Sequence, residues 1–362
     1  MKRTASILLA LSLLVFGVGQ LRAAPDADLD AALAWLRTQQ QPDGGFTGGF
    51  EEGSDLGATT EILLAAVAAG EEPGRWSPSP RAYLAEQVNA GSVTGAAGYA
   101  RLILGAVALG DDPRDFEGHD LVAALLEEAD EEHGQFGDSL YAHAYALLAL
   151  HNAGAELPEG AVALLVEAQL EDGSWSLLGE EDVPTGDSNT TALAVQALVA
   201  AGEEEPARAA LPYFERIRND DGGFPWQKPS EWGSESDANS TALVAQALRA
   251  LGEDPGAWVT ERGIGIFPFL QELQDAGSGA FEWQPGMGSN VLATAQAVQT
   301  LAGMTLVEIP TAPAVAPPET SLPLAGGPPL GTLLLLTGAA SLAAGLLLRR
   351  AGDSSLARAE RA

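Results

Sequence analysis

The chain has 362 residues, no cysteine and a formal net charge of −32 at neutral pH. Without cysteine it cannot form a disulfide, so a buried core must hold the fold, and the length allows one large domain. The negative charge would repel phosphate backbones, and we therefore exclude nucleic acid as a partner.

The N-terminus has the pattern of a secretory signal peptide. Lys2 and Arg3 are followed by an apolar run over residues 7–18, and then by the small residues Ala23 and Ala24. The run is shorter than the ~20 residues that a membrane-spanning helix requires, which favours a cleaved signal over residues 1–23. An uncleaved anchor helix is the alternative.

Alanine- and leucine-rich segments recur through residues 26–303, and each ends at a glycine. Glycine adopts the left-handed conformation cheaply, so it commonly ends a helix. Successive glycines are 40 to 51 residues apart, which indicates about six structural repeats. The glycines are Gly70, Gly110, Gly154, Gly202, Gly252 and Gly303.

A second recurring element lies between these segments: a turn in which glycine precedes an aromatic residue. It occurs over residues 40–46, 133–136, 169–175, 219–224 and 277–281, with a degenerate version at 95–99. Each repeat is thus predicted to be a hairpin of an outer amphipathic helix, the turn, and an inner helix. The inner helix is apolar almost all round and is expected to be buried on all sides. Six such hairpins predict a closed all-α ring, with an open solenoid as the alternative.

The residues after the ring predict a membrane anchor. Residues 304–329 are rich in proline and cannot form a core, so we expect a semi-extended stalk. Residues 330–348 carry no charge and, at ~1.5 Å per residue, would span roughly the ~30 Å hydrocarbon core. Arg349 and Arg350 place the tail, residues 349–362, in the cytoplasm. The ring is therefore predicted to lie outside the plasma membrane, at the cell surface.

The stalk also contains a short motif at residues 322–326. Its sequence, Leu-Pro-Leu-Ala-Gly, resembles the Leu-Pro-x-Thr-Gly sorting signal of bacterial wall-attached proteins. Ala325 stands where that signal has the threonine that a sortase attacks. Anchoring by the helix is therefore preferred to covalent attachment to the wall.

Residues 169–175, Gln-Leu-Glu-Asp-Gly-Ser-Trp, resemble the Gln-x-x-Asp-Gly-Ser-Trp repeat of squalene and oxidosqualene cyclases. Related repeats occur in protein prenyltransferase β subunits and in cobalamin carriers of the intrinsic-factor type. The resemblance implies an α/α toroid, an (α/α)6 barrel of helical hairpins, over residues 26–303. It also implies that the turn residues join adjacent hairpins and have structural roles. These residues are Asp43, Asp172, Trp175, Asp221 and Phe224.

In toroids of this type the chemistry lies where the inner helices begin. Polar residues cluster at the predicted starts, where Asp, Asn, Ser and Thr also serve simply as helix caps. If they have a further role, they would line the mouth of the ring and bind a ligand. The candidate ligand-binding residues are Tyr99, Tyr141, Asp187, Asn189, Asp237, Asn239 and Asn290.

The catalytic motifs of the related enzymes are incomplete in this chain. Class II triterpene cyclases carry Asp-x-Asp-Asp-Thr, and residues 187–191 and 237–241 lie in the matching register. Asn189 and Asn239 occupy the place of the proton donor, and an amide cannot supply that proton. We name no catalytic residue on this basis.

The zinc site of prenyltransferases is also incomplete. It uses Asp, Cys and His, whereas this chain has no cysteine and four histidines. His143 and His151, two turns apart on one predicted helix, are more typical of packing or capping residues. Calcium in the Asp-rich turn at 219–221 is a minor hypothesis, because that turn lacks the ligand number of an EF-hand loop. No metal is predicted, and the sequence indicates no cofactor.

Three functions are compatible with this sequence. We favour a non-catalytic ligand-binding or structural module at the cell surface, with a small molecule or glycan near Trp226, Trp232 and Trp283. An extracellular (α/α)6 polysaccharide hydrolase or lyase is the alternative, with Asp187 and Asp237 as its paired carboxylates. A terpene cyclase-like or prenyltransferase-like enzyme is the third.

Overall fold

The computed structural model describes residues 27–49, 52–130, 134–179, 183 and 185–311, which belong to one compact unit. The predicted signal peptide, the membrane helix, the tail and most of the stalk lie outside the described residues. Among the helices of the described part, none combines the length and the apolar character needed to cross a bilayer.

The described residues form an all-α structure whose extended pairings are isolated bridges. Thirteen α-helices follow one another along the chain. They are α1 Leu29–Thr38, α2 Leu56–Ala68, α3 Pro80–Asn89, α4 Gly95–Leu109, α5 Leu121–Glu127, α6 Leu140–Asn152, α7 Glu159–Glu167, α8 Ser188–Ala201, α9 Glu204–Ala209, α10 Leu211–Ile217, α11 Ala238–Ala250, α12 Ile266–Glu272 and α13 Val291–Leu301.

Six of these helices form a closed inner ring. In ring order they are α2, α4, α6, α8, α11 and α13, and α13 returns to contact α2. Outside this ring, α1, α3, α5, α7, α9 and α12 each pack against one or two inner helices. The structure therefore confirms the predicted α/α toroid and excludes the open solenoid.

The two layers follow from the apolar patterns of their sequences. In α8 every residue from 190 to 198 is buried, because the helix contacts other helices on all its sides. In α1 only Ala32, Leu33 and Leu36 are fully buried, which leaves the opposite face to solvent. Gly202 ends α8 in the left-handed conformation, as the closing glycines predict.

In five hairpins, the glycine-aromatic turn is hydrogen-bonded to the inner helix that follows it. The aromatic residue of the turn is fully buried, and its backbone N–H donates to a side chain one turn into the inner helix. The five pairs are Phe46–Thr59, Phe136–His143, Trp175–Thr191, Phe224–Thr241 and Phe281–Thr294, at 2.9–3.0 Å. The structural role expected for the turn aromatics is confirmed.

The turns at 169–175 and 277–281 also join their hairpin to the next one. The Gln169 amide donates to the Gly173 carbonyl of its own turn and to the Pro206 carbonyl of the following hairpin. Gln274 repeats this arrangement at the end of the ring, where it donates to the Asp28 carbonyl and accepts from the Asp28 N–H. The last hairpin is thereby bonded to the first, which closes the ring.

One predicted turn is wrong. Residues 95–99, which are predicted to form a degenerate glycine-aromatic turn, form the start of α4 instead. This stretch lacks the Asp or Gln that holds the other turns by side-chain hydrogen bonds, and Ala96, Ala97 and Tyr99 continue as a helix. The second hairpin therefore connects α3 to α4 through the short loop 90–94.

Candidate functional site

The inner helices begin at one end of the ring, which we call the mouth. Side chains there accept a hydrogen bond from a backbone N–H of the first helical turn, at 2.6–3.2 Å. These capping residues are Asp55, Ser139, Asp187, Asp237 and Asn290. Three of the predicted site residues thus have a capping role at the mouth.

Asp187 is the most unusual of these caps. Its side chain is only 2% exposed, and Oδ1 accepts from the Thr190 N–H at 2.8 Å. Oδ2 is buried and has no well-formed hydrogen bond. Burial raises the pKa of Asp187 to about 6, against the opposing effects of Thr190 and of the Trp226 indole. The midpoint of its ionisation therefore lies near pH 6, well above that of an exposed aspartate.

Asp237 occupies the equivalent position one repeat later, with both oxygens bonded. Oδ1 accepts from the Ser240 N–H, and Oδ2 accepts from the Ser240 hydroxyl at 2.7 Å. Burial raises the pKa of Asp237, while Ser240 opposes the shift. The two acids therefore differ in one hydrogen bond, which makes Asp237 a natural reference for Asp187.

The two asparagines that stand in place of the cyclase acid lie half-buried at the mouth. Asn239 donates to Gln296 Oε1 on the next inner helix at 2.7 Å. Asn189 accepts from the Ser188 hydroxyl at 3.2 Å. Both side chains offer amide groups to a ligand.

A polar cluster lies one helical turn below the mouth, inside the ring. The Tyr145 hydroxyl donates to Glu61 Oε1 at 3.1 Å, and Gln299 donates to Glu61 Oε2 at 2.8 Å. Because α4 stands between α2 and α6 in the ring, the Tyr145–Glu61 bond bridges helices that are not neighbours. The Tyr141 ring stacks on Tyr145 with centroids 6.3 Å apart, and burial and Glu61 raise the pKa of Tyr141.

Arg101 on α4 borders this cluster and is half-buried. Its Cζ and Nε lie 3.4 Å from the position that a Cβ on Gly57 would take, so the guanidinium reaches the start of α2 at the mouth. Its charge opposes the rise in the pKa of Tyr141. Within the described residues, the guanidinium forms neither an ion pair nor a hydrogen bond.

Glu61, Arg101 and Tyr145 were missing from the predicted site. A sequence signal for two of them exists: Glu61 is the single charged residue of α2, and Arg101 is that of α4. A charge in a helix that is buried all round is costly unless it has a partner or a function. Tyr99, by contrast, packs partly against the core near the start of α4, and no hydrogen bond of the described part joins it to the cluster.

An apolar arc lies on the rim of the mouth. Leu177, Trp226 and Trp283 each follow a turn aromatic by two residues, and their carbonyls accept from the N–H groups that begin α6, α8 and α11, at 2.7–2.9 Å. They therefore occupy equivalent places in three adjacent repeats. Trp226 and Trp283 are 38% and 39% exposed, and Trp232 on a nearby loop is 88% exposed.

The opposite end of the ring is closed by the chain itself. The Leu306 N–H donates to Gln196 Oε1 at 2.8 Å, and Asn152 bonds to the backbone of both Leu306 and Ile309. Met304, Leu306 and Ile309 are buried, so the packed unit extends a few residues beyond Gly303. A ligand would therefore enter from the mouth.

His143 has a structural place equivalent to the threonines of the other repeats. Nδ1 accepts from the Phe136 N–H at 3.0 Å, which leaves Nε2 to donate to the Ala161 carbonyl at 2.9 Å. Burial lowers the pKa of His143. Protonation would place a hydrogen on Nδ1 and remove the acceptor that holds the turn.

We expect His143→Thr to make the fold less sensitive to acid. Because the pKa of His143 is lower in the folded chain than the usual 6.5, the unfolded chain binds more protons below that pH. The wild type should therefore lose up to ~1.4 kcal/mol of stability per pH unit below pH 6.5, and the variant should lose less. Urea unfolding at pH 7.5 and 5.5 measures the difference. His151→Gln on the same helix is the control, and an equal acid sensitivity in wild type and His143→Thr would contradict the assignment.

The described residues contain no group of three or more His, Cys, Asp or Glu side chains placed to hold a metal ion. Two turn acids instead have the structural roles expected for them. Asp172 accepts from the Ser174 N–H and pairs with Arg216, and Asp221 accepts from the Gly223 N–H.

The chain is similar in fold to several solved structures, although neither a protein-family model nor a curated protein matches it. A protein from Actinoplanes has a TM-score of 0.55 at 18% identity, over 75% of this chain and 97% of that one. A type II terpene cyclase from Scytonema has 0.54 at 15% identity, over 78% and 98%. An unsaturated glucuronyl hydrolase specific for heparin has 0.53 at 12% identity, over 75% and 94%. At these identities the likeness shows the fold alone, which is an α/α toroid.

Proposed function

We propose that the chain is a non-catalytic ligand-binding module of the cell surface and that its ligand is a glycan or a similar polar ring compound. The observation that carries the proposal is the rim arc. Trp226 and Trp283 expose indole surface at equivalent positions beside the amides of Asn189 and Asn239. Flat apolar surfaces next to hydrogen-bonding groups suit a ring with polar substituents.

The acids at the mouth support binding rather than catalysis. Asp187 and Asp237 are both buried and both cap inner helices, so each is already used by the fold. The residues in the register of the cyclase proton donor are Asn189 and Asn239, which cannot act as acids. A cyclase-like activity therefore lacks its acid in this chain.

The proposed cellular location of the module is based on the predicted signal peptide and the predicted membrane anchor. A signal peptide over residues 1–23 and an apolar stretch over residues 330–348, flanked by two arginines, favour export and anchoring in the plasma membrane. Protease treatment of intact cells should remove the ring from an anchored chain. A ring that is cut only after lysis would refute the cell-surface location.

Glycan binding at the mouth can be tested with the full-length chain in detergent. In a panel of soluble oligosaccharides, we expect at least one to bind, and Trp226→Ala and Trp283→Ala to weaken it by roughly fivefold or more each, since a central aromatic anchor is worth ~1 kcal/mol or more. Trp35→Phe on the outer helix α1 is the control and should bind as the wild type does. Binding that ignores both rim substitutions would place the ligand elsewhere, and no binding by any glycan would refute the proposal.

One observation favours the hydrolase alternative. Asp187 has a raised pKa of about 6 and an oxygen without a well-formed hydrogen bond, as is favourable for a general acid. Our proposal predicts that wild type and Asp187→Asn leave the oligosaccharide panel equally intact in a reducing-end assay. Cleavage by the wild type that is lost in Asp187→Asn would establish the hydrolase instead.

A further inference from the structure

Among the described residues of this strongly acidic chain, Arg101 lies near the mouth with a guanidinium that no protein acceptor binds. Arginine occurs twice in the inner helices of the described part, as Arg101 in the half of α4 nearer the mouth and as Arg249 near the closed end of α11. Arg249 donates to the Thr300 carbonyl at 3.2 Å. The Arg101 guanidinium has no such acceptor among the described residues.

Asp55 and Glu61, the acids before and within α2, are already bonded to other groups. Glu61 accepts from Tyr145 and from Gln299 through its two carboxylate oxygens. Asp55 caps α2 through Oδ1 and accepts from the Gly48 N–H through Oδ2 at 2.7 Å. Neither acid is within ion-pair distance of Arg101.

A half-buried guanidinium without an acceptor in the protein keeps its N–H donors available to a ligand. It carries five N–H donors in a rigid fork, and that fork matches the two oxygens of a carboxylate. Such charge-assisted pairs are about twice as strong as neutral hydrogen bonds. The surface acids responsible for the net charge of −32 are weakened at a distance, because physiological salt screens exposed charges beyond ~8 Å.

The groups around Arg101 indicate where the rest of a ligand would lie. Because Gly57 has no side chain, the guanidinium lies close to the backbone at the start of α2 and thereby reaches the mouth. The charges of Arg101 and of Asp187 both act on the Tyr141 hydroxyl, and the Trp226 indole acts on Asp187. Tyr141 is in the first turn of α6, and α6 stands between α4, which carries Arg101, and α8, whose first N–H donates to the Trp226 carbonyl.

We propose that the mouth binds an acidic sugar: the carboxylate of the ligand pairs with Arg101, and its ring lies against Tyr141 and Trp226. This inference rests on the glycan-binding function proposed above and specifies its ligand class. In this proposal, Arg101 makes the site prefer an acidic sugar to a neutral one. Trp226 contacts the ring of either sugar.

Ligand-detected NMR titration of the full-length chain tests this proposal with three probes: methyl glucuronide carrying its free carboxylate, methyl glucoside, and acetate. We expect the wild type to bind the glucuronide at least about tenfold more tightly than the glucoside, as one well-formed charged pair allows. Arg101→Gln should remove this preference, and Arg101→Lys should retain part of it, because lysine keeps the charge without the fork. Arg249→Gln, the same change at the closed end, should leave the preference unchanged.

Several outcomes would overturn the assignment of an acidic sugar. Equal affinity for glucuronide and glucoside, no glucuronide binding at millimolar concentration, or an unchanged preference in Arg101→Gln would each do so. Acetate that binds as tightly as the glucuronide would show that the ring adds nothing. If oligosaccharides still bind and Trp226→Ala still weakens them, the inference about Arg101 fails while the proposed function stands. If no sugar of any kind binds, both fail.

Discussion

Asp187→Asn should become progressively more stable than the wild type as the pH rises from 4 to 7, with a total change of about 3 kcal/mol. The pKa of Asp187 is raised from 3.8 to about 6 in the folded chain, so between these values the folded state binds more protons than the unfolded state. The free energy of unfolding of the wild type therefore falls as the pH rises through this window. Two pKa units at ~1.4 kcal/mol each give the size of the effect.

Asparagine keeps the structural part of this side chain. Its Oδ1 can still accept from the Thr190 N–H, and asparagine caps helices as well as aspartate does. What it removes is the ionisation of a buried group whose Oδ2 has no well-formed hydrogen bond. The measurement is chemical unfolding of both proteins at several pH values, and the quantity of interest is the change in their difference with pH.

The difference in unfolding free energy between the wild type and Asp187→Asn isolates the contribution of Asp187 from those of other titrating groups. His143 acts in the opposite direction below pH 6.5, so the pH profile of the wild type alone reflects both. Asp237→Asn is the matched control, because there the Ser240 hydroxyl stabilises the carboxylate. Its pH-dependent gain should be smaller. A gain in stability for Asp187→Asn that is constant between pH 4 and 7 would show that the pKa of Asp187 is not raised in the folded chain.

The repeat pattern allowed the ring to be predicted because local chemistry specifies it. Glycine at a helix end, an aromatic residue in a buried turn and an Asp or Asn before an inner helix each have one physical role. Gln169 and Asp187 illustrate this: both recur in register and both make the bonds that their positions imply. The capping alternative for Asp187, Asp237 and Asn290 could likewise be stated from the sequence and is what the structure contains.

The cluster inside the ring could not be predicted in the same way. An inner helix that is apolar all round has no contrast between faces, so the sequence does not indicate which residues point into the ring. The Tyr145–Glu61 bond joins helices 84 residues apart that are not adjacent in the ring. Its register depends on how the inner helices rotate against one another. In the sequence, Arg101 is recognisable only as the single charged residue of an apolar helix. The sequence does not indicate whether its guanidinium has an ion-pair or hydrogen-bond partner.

Gly173→Ala should destabilise the fold by about 3 to 4 kcal/mol. The substitution removes no interaction, and the loss comes from the added Cβ atom alone. Gly173 has φ of 85°, a conformation that costs an L-residue ~1–2 kcal/mol. An added Cβ would also lie 2.1 Å from the carbonyl oxygen of Ala209, at the junction with the next hairpin. That overlap forces the two backbones apart, and overpacking of this kind typically costs ~1–3 kcal/mol more.

Gly202→Ala separates these two contributions. Gly202 has φ of 84°, almost the same as that of Gly173, but an added Cβ there would meet no atom within 4 Å. The control should therefore cost only the ~1–2 kcal/mol of the left-handed conformation, and urea unfolding midpoints of both variants measure the difference. Equal losses would mean that the turn does not hold adjacent hairpins at close approach. A much larger loss for Gly173→Ala would instead show that the ring depends on contact between neighbouring backbones at the glycine-aromatic turns, where the chain has no disulfide to replace it.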